Sequence, residues 1–339
     1  MPVSAAIYGC AGHNLTEEEA LFFSEASPWG FILFARNIDS PAQVLRLTNE
    51  LRELAGRDDL PILIDQEGGR VARLRPPHWR SYPPGRRYGE LYAKSSKEGL
   101  EATRLASRLI AAELYAAGIN VDCLPVLDLP VSGAHDIIGD RAYGETSEVV
   151  STLGLAAAEG LMEGGVLPVM KHVPGHGRAS VDSHLNLPIV ETDVKVLNET
   201  DFVPFRALAH LPMAMTAHVV YRAIDAANPA TTSSKVITDI IRTVIGFDGL
   251  LMSDDVSMQA LSGSIGERTH KSISAGCDIV LHCNGLMNEM KQVAAETPIL
   301  VADALRRASA AVDHFALPQE FDEETATARF ATLMGTFWG

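Results

Sequence analysis

Three short segments of the chain combine residue types that can transfer protons or attack an electrophilic carbon. Lys171-His172 begins a run that continues Val-Pro-Gly-His-Gly. Asp182-Ser183-His184 follows closely, and Ser253-Asp254-Asp255 comes later in the chain. An imidazole exchanges protons near neutral pH, a neighbouring carboxylate favours its protonated form, and a fixed carboxylate can act as a nucleophile. Spacing alone leaves structural roles open, because isolated histidines and aspartates are more often structural.

Eight short apolar runs recur along the chain, and segments with helical periodicity separate them. Continuous apolar strands are buried on both faces, which is typical of a parallel sheet covered by helices. We therefore predict an α/β fold, a (β/α)8 TIM barrel, and expect residues 1–339 to form a single domain. The predicted strands are residues 5–10, 30–34, 61–65, 121–128, 167–172, 213–218, 250–254 and 278–283.

Helix boundary signals support this alternation of strands and helices. Thr16 and Glu19 form a capping-box pattern, and Gly164-Gly165 predicts the end of a helix that begins near Ser147. Between residues 96 and 116, apolar residues recur at three- and four-residue spacing, so one face of that helix should pack on the barrel.

The polar residues at the predicted strand ends indicate where a site would form. In barrels of this kind, catalytic groups lie at the carboxyl ends of the strands and on the loops that follow them. The polar residues at those ends are Asp65, Asp128, Lys171, His172, His218, Asp254 and His282.

Composition excludes several classes of partner. The net charge of −15 argues against nucleic acid, because phosphate binding needs a basic face. No basic residue precedes the short apolar run at residues 3–9, so we expect no signal peptide, no membrane association and a cytoplasmic location. We also expect a monomer without a cofactor. Buried free thiols are predicted for the four cysteines, which lack metal-ligand spacing: Cys10, Cys123, Cys277 and Cys283.

Taken together, the three reactive segments resemble those of the family 3 glycoside hydrolases. Within that family they are similar to the single-domain bacterial β-N-acetylhexosaminidases of cell-wall recycling, and the resemblance spans nearly the whole chain. It implies a retaining exo-β-N-acetylglucosaminidase that releases terminal N-acetylglucosamine from peptidoglycan fragments (muropeptides) through a covalent glycosyl-enzyme. Residues Val173 and Arg178-Ala179 depart from the family pattern, in which Phe and Asp-Thr are common at these positions.

The resemblance also implies a role for each group. Asp254 is expected to be the nucleophile, and His184, oriented by Asp182, the general acid and base that larger relatives draw from a second domain. Independently of the resemblance, the position of Asp255 just after Asp254 suits it to cap the next helix. Fixed charged groups suit the dense hydroxyls of a sugar, and those expected to bind it are Asp65, Arg73, Arg141, Lys171 and His172.

Several neighbouring residues keep two interpretations. Residues 67–70 are interpreted as a structured turn in which Arg70 pairs with a carboxylate. Asp128 and His218 could line the site or form structural pairs. The loop of residues 73–87 carries five arginines, which could hold an anionic muropeptide or could simply make the loop rigid through backbone contacts.

Other functions remain alternatives. Within the same fold they are another exo-β-glycosidase, or a phosphorylase in which phosphate replaces water. A non-catalytic sugar-binding protein would not need both Asp254 and the dyad. A metal-dependent barrel hydrolase is less favoured, and no metal is expected, because the chain lacks a His-x-His pair. That hydrolase would use His172, His176, His184 and His218.

Overall fold

The computed structural model describes residues 2–133, 135–179 and 187–335. Its centre is a closed barrel of parallel strands in which each strand pairs with the next one along the chain and the last pairs with the first. The eight barrel strands are β1 (Ser4–Gly9), β2 (Pro28–Leu33), β3 (Ile62–Ile64), β4 (Val121–Asp122), β5 (Leu167–Val173), β7 (Met213–Thr216), β9 (Leu250–Asp255) and β10 (Ile279–His282). A separate two-stranded sheet pairs β6 (Ile189–Val190) with β8 (Val220–Tyr221).

Both faces of the barrel strands are buried, which confirms the predicted parallel barrel. One set of side chains fills the barrel interior, including Ile7, Leu63 and Val169. Neighbouring residues on the same strands, such as Ile62 and Ile64, pack outward against the helices. Alternate side chains point to opposite faces of a strand, so a strand that is covered on both sides must be apolar throughout.

The fourth strand is much shorter than the predicted segment of residues 121–128. Regular pairing ends at Asp122, where the amide of Leu124 turns back to donate to the Asp122 carbonyl (2.8 Å). Pro125 has no N–H to continue the ladder. The segment nevertheless stays beside β5, because the Leu127 amide donates to the Lys171 carbonyl (2.7 Å).

Helices cover the outside of the barrel, and the predicted helix boundaries are confirmed. Thr16 and Glu19 form a capping box, and the helix that begins at Ser147 ends at Glu163, next to Gly164. The helices are α1 (Glu17–Ala26), α2 (Pro41–Ala55), α3 (Gly85–Lys94), α4 (Ser96–Ala116), α5 (Ser147–Glu163), α6 (Val194–Glu199), α7 (Phe202–Ala207), a π-helical segment (Val236–Val244), α8 (Ile265–Ala275), α9 (Met287–Glu296), α10 (Ala302–Val312) and α11 (Glu323–Met334).

Two further features are the state of the cysteines and the length and polarity of the helices. All four cysteines are buried and free, as predicted, and burial raises the pKa of each thiol. In the described ranges, every helix is too short or too polar to span a lipid bilayer.

The α1 cap provides a test of local stability. The Thr16 hydroxyl oxygen accepts from the Glu19 amide (3.1 Å), and the Glu19 carboxylate accepts from the amides of Thr16 (3.0 Å) and Ala11 (2.7 Å). Thr16→Ala should therefore lower the free energy of unfolding by about 1 kcal/mol, measured by urea denaturation. Thr16→Ser keeps the hydroxyl and should stay near the wild-type value. Equal stability of the alanine variant and wild type would show that Glu19 holds this turn without the hydroxyl.

Candidate active site

A cavity of about 250 Å³ opens at the carboxyl ends of the barrel strands, where a site was predicted. Charged and histidine side chains form one part of its wall, and apolar side chains form another. The charged and histidine residues are Asp65, Arg70, Arg73, Arg141, Lys171, His172, His176, Asp254 and Asp255. The apolar part consists of Ile32, Phe34, Val71, Ile137, Ile138, Met215, Met258, Leu281 and Cys283.

Asp65 lies directly after β3 and binds two cations. Its Oδ1 accepts from Lys171 Nζ (2.7 Å) and its Oδ2 from Arg73 Nη2 (3.0 Å). Burial by itself would raise the pKa of the Asp65 carboxyl, but the two neighbouring positive charges outweigh it and hold that pKa well below its usual range. Asp65 is therefore a carboxylate at neutral pH, fixed at the cavity wall.

Glu67 lies two residues further on and binds a second pair of cations. Arg141 donates to it through Nε (2.9 Å) and Nη2 (2.8 Å), and Lys171 Nζ lies 2.6 Å from Oε1. Burial opposes ionisation, yet Arg141 and Lys171 lower the pKa of Glu67 to about 2. Lys171 is almost fully buried, and the two carboxylates raise its pKa above the usual lysine range despite desolvation.

The sequence interpretation of Glu67 was incomplete. Residues 67–70 do form a turn, since the amides of Glu67 and Gly68 donate to the Val71 carbonyl. Arg70 pairs with Asp140 (3.2 Å), as predicted. The role of the Glu67 carboxylate was missed, although one signal was present: an acidic residue two positions after a strand-end aspartate.

Asp128 organises the two histidines after β5. Its Oδ2 accepts from His172 Nδ1 (2.7 Å), and its Oδ1 accepts from the amides of His172 (3.2 Å) and His176 (2.7 Å). These interactions lower the pKa of the fully buried Asp128 to about 2, although burial alone would raise it. Asp128 thus engages only Nδ1 of the His172 ring, and His172 itself lines the cavity. Of the two alternatives for Asp128, the structure supports the structural pair.

His176 borders the cavity beside His172, with ring centroids 5.7 Å apart. Burial, followed by the nearby His172, lowers the pKa of His176 to about 4. Its imidazole is therefore neutral at physiological pH and is a poor proton donor there.

Asp254 lies at the end of β9 and its backbone is held on one side by β7. Its amide donates to Thr216 Oγ1 (3.2 Å), and its Oδ1 accepts from the amide of Asp255 (2.8 Å). A carboxylate fixed in this way at a strand end faces the space that the charged residues enclose.

The predicted helix-capping role of Asp255 was wrong. Its carboxylate accepts from the amides of Ser257 (3.0 Å) and Cys283 (3.2 Å) and from the Ser257 hydroxyl (2.6 Å). The cap of α8 is Ser264. The chain makes a further turn between β9 and α8, so Asp255 stabilises that turn instead.

His218 does not line the cavity. Its Nε2 donates to the Asp255 carbonyl (2.9 Å), and its Nδ1 bonds to Thr231 Oγ1 (2.7 Å). Both ring nitrogens are therefore used in structural contacts. Within residues 2–133, 135–179 and 187–335, the histidine, cysteine and acidic side chains form no group of three or more that could hold a metal ion.

The arginine-rich loop contributes one side chain, Arg73, to the cavity wall. Arg75 bonds to the carbonyls of Ala72 and Arg70, and Arg80 pairs with Glu113 and Glu323. Arg86 pairs with Glu145, and Arg87 pairs with Glu90. These four side chains lie outside the cavity wall and bond to protein groups, so the structure favours a structural role for them. Their partners are mostly carboxylates, whereas the interpretation named backbone contacts.

The chain that leads from β5 towards residue 180 is tightly anchored. The Tyr221 hydroxyl donates to the Gly175 carbonyl (2.5 Å), and Arg178 Nε donates to the buried Asp201 (2.7 Å). Gly177 packs so closely on Leu129 that a Cβ atom would lie 2.0 Å from the Leu129 carbonyl oxygen, which excludes other residues without a shift. The predicted dyad, Asp182 and His184, lies outside the described residues.

Every predicted site residue within the described ranges lies in the wall of this one cavity. They are Asp65, Arg73, Arg141, Lys171, His172 and Asp254. Arg141 is the least obvious of these from spacing, because it comes from a short 3-10 turn at residues 139–141 and is positioned by Glu67.

Comparison with known proteins places this geometry in a family. The family described as "Glycosyl hydrolase family 3 N terminal domain" matches residues 12–314. A β-hexosaminidase of Nitrosomonas eutropha is 41% identical over 278 residues, which cover 81% of this chain and 79% of the relative. A β-hexosaminidase of Bordetella avium is 34% identical, and the matched region covers 97% of this chain and 94% of the relative.

Solved structures agree with the sequence comparison. The crystal structure of NagZ from Neisseria gonorrhoeae in complex with N-trifluoroacetyl-D-glucosamine has a TM-score of 0.89 and is 33% identical over 99% of both chains. A family 3 β-N-acetylglucosaminidase from Paenibacillus sp. has a TM-score of 0.87 and is 29% identical. The match covers 97% of this chain and 66% of the Paenibacillus chain. The barrel, the cavity at its carboxyl end and these matches together show that the chain belongs to glycosyl hydrolase family 3 and is a glycoside hydrolase.

Proposed function

We propose that the protein is a retaining exo-β-N-acetylglucosaminidase that releases non-reducing terminal N-acetylglucosamine from peptidoglycan fragments. The observation that carries this proposal is a single cavity whose wall combines the Asp254 carboxylate with a fixed set of charged donors and acceptors. Relatives named β-hexosaminidase, and a structural neighbour bound to an N-acylated glucosamine, support the choice of sugar.

The charged wall suits a sugar because each hydroxyl can both donate and accept a hydrogen bond. Asp65 can accept from one hydroxyl while Lys171 and Arg73 donate to its neighbours. These groups bind each other before any sugar enters, so they are already oriented and little ordering is needed on binding. The His172 ring, held by Asp128, can add a further contact.

Asp254 would attack the anomeric carbon and form the glycosyl-enzyme ester. Its position at the end of β9, with its amide bonded to Thr216, holds the carboxylate at a fixed place in the wall. Attack from one face, followed by attack of water from the opposite face, retains the configuration at the anomeric carbon.

His184 would supply the proton for departure of the leaving oxygen and then remove one from the attacking water, with Asp182 orienting its ring. Support for this role comes from the sequence, in which the dyad follows within a few residues of the anchored chain at residues 175–179. His176 is a weaker candidate for the acid, since its pKa of about 4 leaves it neutral at physiological pH.

The size of the cavity favours release of one sugar at a time. Its volume of about 250 Å³ is below the ~300–1,000 Å³ that is usual for small-molecule pockets. One terminal ring fits such a space, while the rest of the substrate would lie outside the mouth. Muropeptides as substrates, the monomeric state, the cytoplasmic location and the single catalytic domain remain predictions from the sequence.

The reaction type can be tested with aryl β-N-acetylglucosaminide and aryl β-glucoside, each assayed with and without phosphate. Initial rates should be much higher for the N-acetylglucosaminide and should not depend on phosphate. Faster cleavage of the glucoside would indicate another exo-β-glycosidase. Formation of a sugar phosphate at an increased rate would indicate a phosphorylase.

The role of Asp254 predicts the behaviour of Asp254→Asn. The substitution keeps the shape but removes the nucleophile, so kcat should fall by at least about 10⁴-fold while sugar binding, measured by calorimetry, changes little. A 2-fluoro or 5-fluoro glycosyl inactivator should label Asp254 in the wild-type enzyme, as identified by peptide mass spectrometry. A label on Asp255 or Asp128 would show that the nucleophile is misassigned.

The role of His184 predicts a dependence on the leaving group. Without the imidazole, kcat/KM for natural sugar leaving groups should fall by about 10²–10⁴-fold, whereas activated phenols need little acid assistance. Hydrolysis of the glycosyl-enzyme still needs a base for every substrate. With a good leaving group, His184→Ala should therefore release a burst of phenol followed by a slow steady rate.

Added azide provides the matching control, because it attacks without base assistance. It should accelerate the slow phase of His184→Ala and produce the β-glycosyl azide with retained configuration. Asp182→Ala should show a milder form of the same pattern, since the imidazole remains but loses its orienting carboxylate. If His184→Ala slows all leaving groups equally and azide has no effect, proton transfer must belong to another residue.

A further inference from the structure

Glu67 is the one member of the buried charge cluster that does not reach the cavity. Four of the five charged groups, Asp65, Arg73, Arg141 and Lys171, line the cavity wall, and Glu67 lies behind them. It binds Arg141 with both carboxylate oxygens and Lys171 with one, and its side chain is only 5% exposed. Its acceptor positions therefore face protein cations and not the cavity.

We propose that Glu67 is a positioning residue for sugar binding, which fixes the direction and the charge of Lys171 and Arg141. This inference rests on the proposed function, since it assigns Glu67 a purpose in binding the terminal sugar. Oε1 accepts from both cations and so sets the relative positions of a strand residue, Lys171, and a loop residue, Arg141.

The turn that carries Glu67 is itself held in place. Gly68 has φ +97, and a Cβ atom there would lie 2.5 Å from the Pro83 carbonyl oxygen. A larger residue could not adopt this conformation without moving the neighbouring loop. The Glu67 amide donates to the Val71 carbonyl (2.9 Å), which closes the turn and directs the carboxylate inward.

Electrostatics explains why a carboxylate is needed at this position. The side chains of Lys171 and Arg141 are 2% and 9% exposed, and both have lost most of their hydration. Two such cations repel one another, and desolvation alone would depress the pKa of Lys171. Glu67 lies between them and, together with Asp65, holds the pKa of Lys171 above its usual value.

The direction of the pH effect follows from the groups around Lys171. Loss of the Glu67 charge removes one of the groups that raise the pKa of Lys171, whereas burial and Arg141 still lower it. Lys171 would then lose its proton at a lower pH, and sugar binding would decline there as pH rises. The titratable groups that act on Lys171 are Asp65, Glu67, Arg141, the Cys123 thiol and Asp122.

Glu67→Gln tests the proposal because it should raise KM and leave kcat near the wild-type value. An amide keeps the size of the side chain but offers donors to Arg141 and has no charge. KM for aryl N-acetylglucosaminides should rise about tenfold, the factor that one hydrogen bond to a charged group commonly contributes. The rise should be the same for every leaving group. Binding of N-acetylglucosamine, measured by calorimetry across pH, should weaken at a lower pH than in the wild-type enzyme. All rates are referred to active enzyme, titrated with the fluoro-glycosyl inactivator.

Two further variants separate positioning from stability. Glu113→Gln removes another poorly exposed carboxylate that is paired with an arginine, Arg80, away from the cavity. It should lower stability but leave KM and the pH dependence of N-acetylglucosamine binding unchanged. Glu67→Asp keeps the charge on a shorter side chain, so the pH dependence of N-acetylglucosamine binding should return towards that of the wild type while KM stays raised.

Each possible result either supports or overturns the proposal. Wild-type KM and an unchanged pH dependence of N-acetylglucosamine binding in folded Glu67→Gln would overturn it and leave Glu67 as a stabilising residue only. If Glu67→Gln does not fold, Glu67→Asp decides: a raised KM supports positioning, and an unchanged KM refutes it. Failure of the wild-type enzyme to cleave N-acetylglucosaminides would instead refute the proposed function, so the two failures are distinguishable.

Discussion

One alternating row of charges holds the cavity wall together: Arg73, Asp65, Lys171, Glu67 and Arg141. Neighbours in this row are 2.6–3.0 Å apart, and its central members are almost fully buried. Buried charges are costly unless they are paired and hydrogen-bonded. This requirement brings together the end of β3, the end of β5 and the loops that follow β3 and β4, and it leaves the cations and Asp65 ready to meet a polar ligand.

The barrel supplies the rigidity that this arrangement needs. Parallel strands end on one side of the sheet, so residues far apart in sequence, such as Asp65 and Asp254, meet there without long connecting segments. Buried partners fix the groups further: Asp128 holds the His172 ring, and Thr216 bonds to the amide of Asp254. A glycosidase needs this precision because its carboxylate must lie close to the anomeric carbon before reaction.

Predictions that depend on local patterns were confirmed, and those that depend on distant partners were less successful. The capping box at Thr16 and the helix end at Gly164 involve residues within one turn, so spacing was sufficient. The fourth strand was predicted too long because apolar character continues beyond the point where pairing stops. Asp255 was assigned to the next helix, but Cys283, directly after β10, supplies one of its partners.

By itself the sequence determined the parallel barrel, the strand ends that carry polar residues and the reactive segments at Asp254 and His172, because periodicity and residue type act locally. Tertiary structure alone decided that Glu67 lies between Lys171 and Arg141, that the arginines after Arg73 bond away from the cavity and that both ring nitrogens of His218 are engaged. The direction of a charged side chain depends on which opposite charge the fold brings near it. That partner is set by packing across the barrel, which residue spacing does not encode.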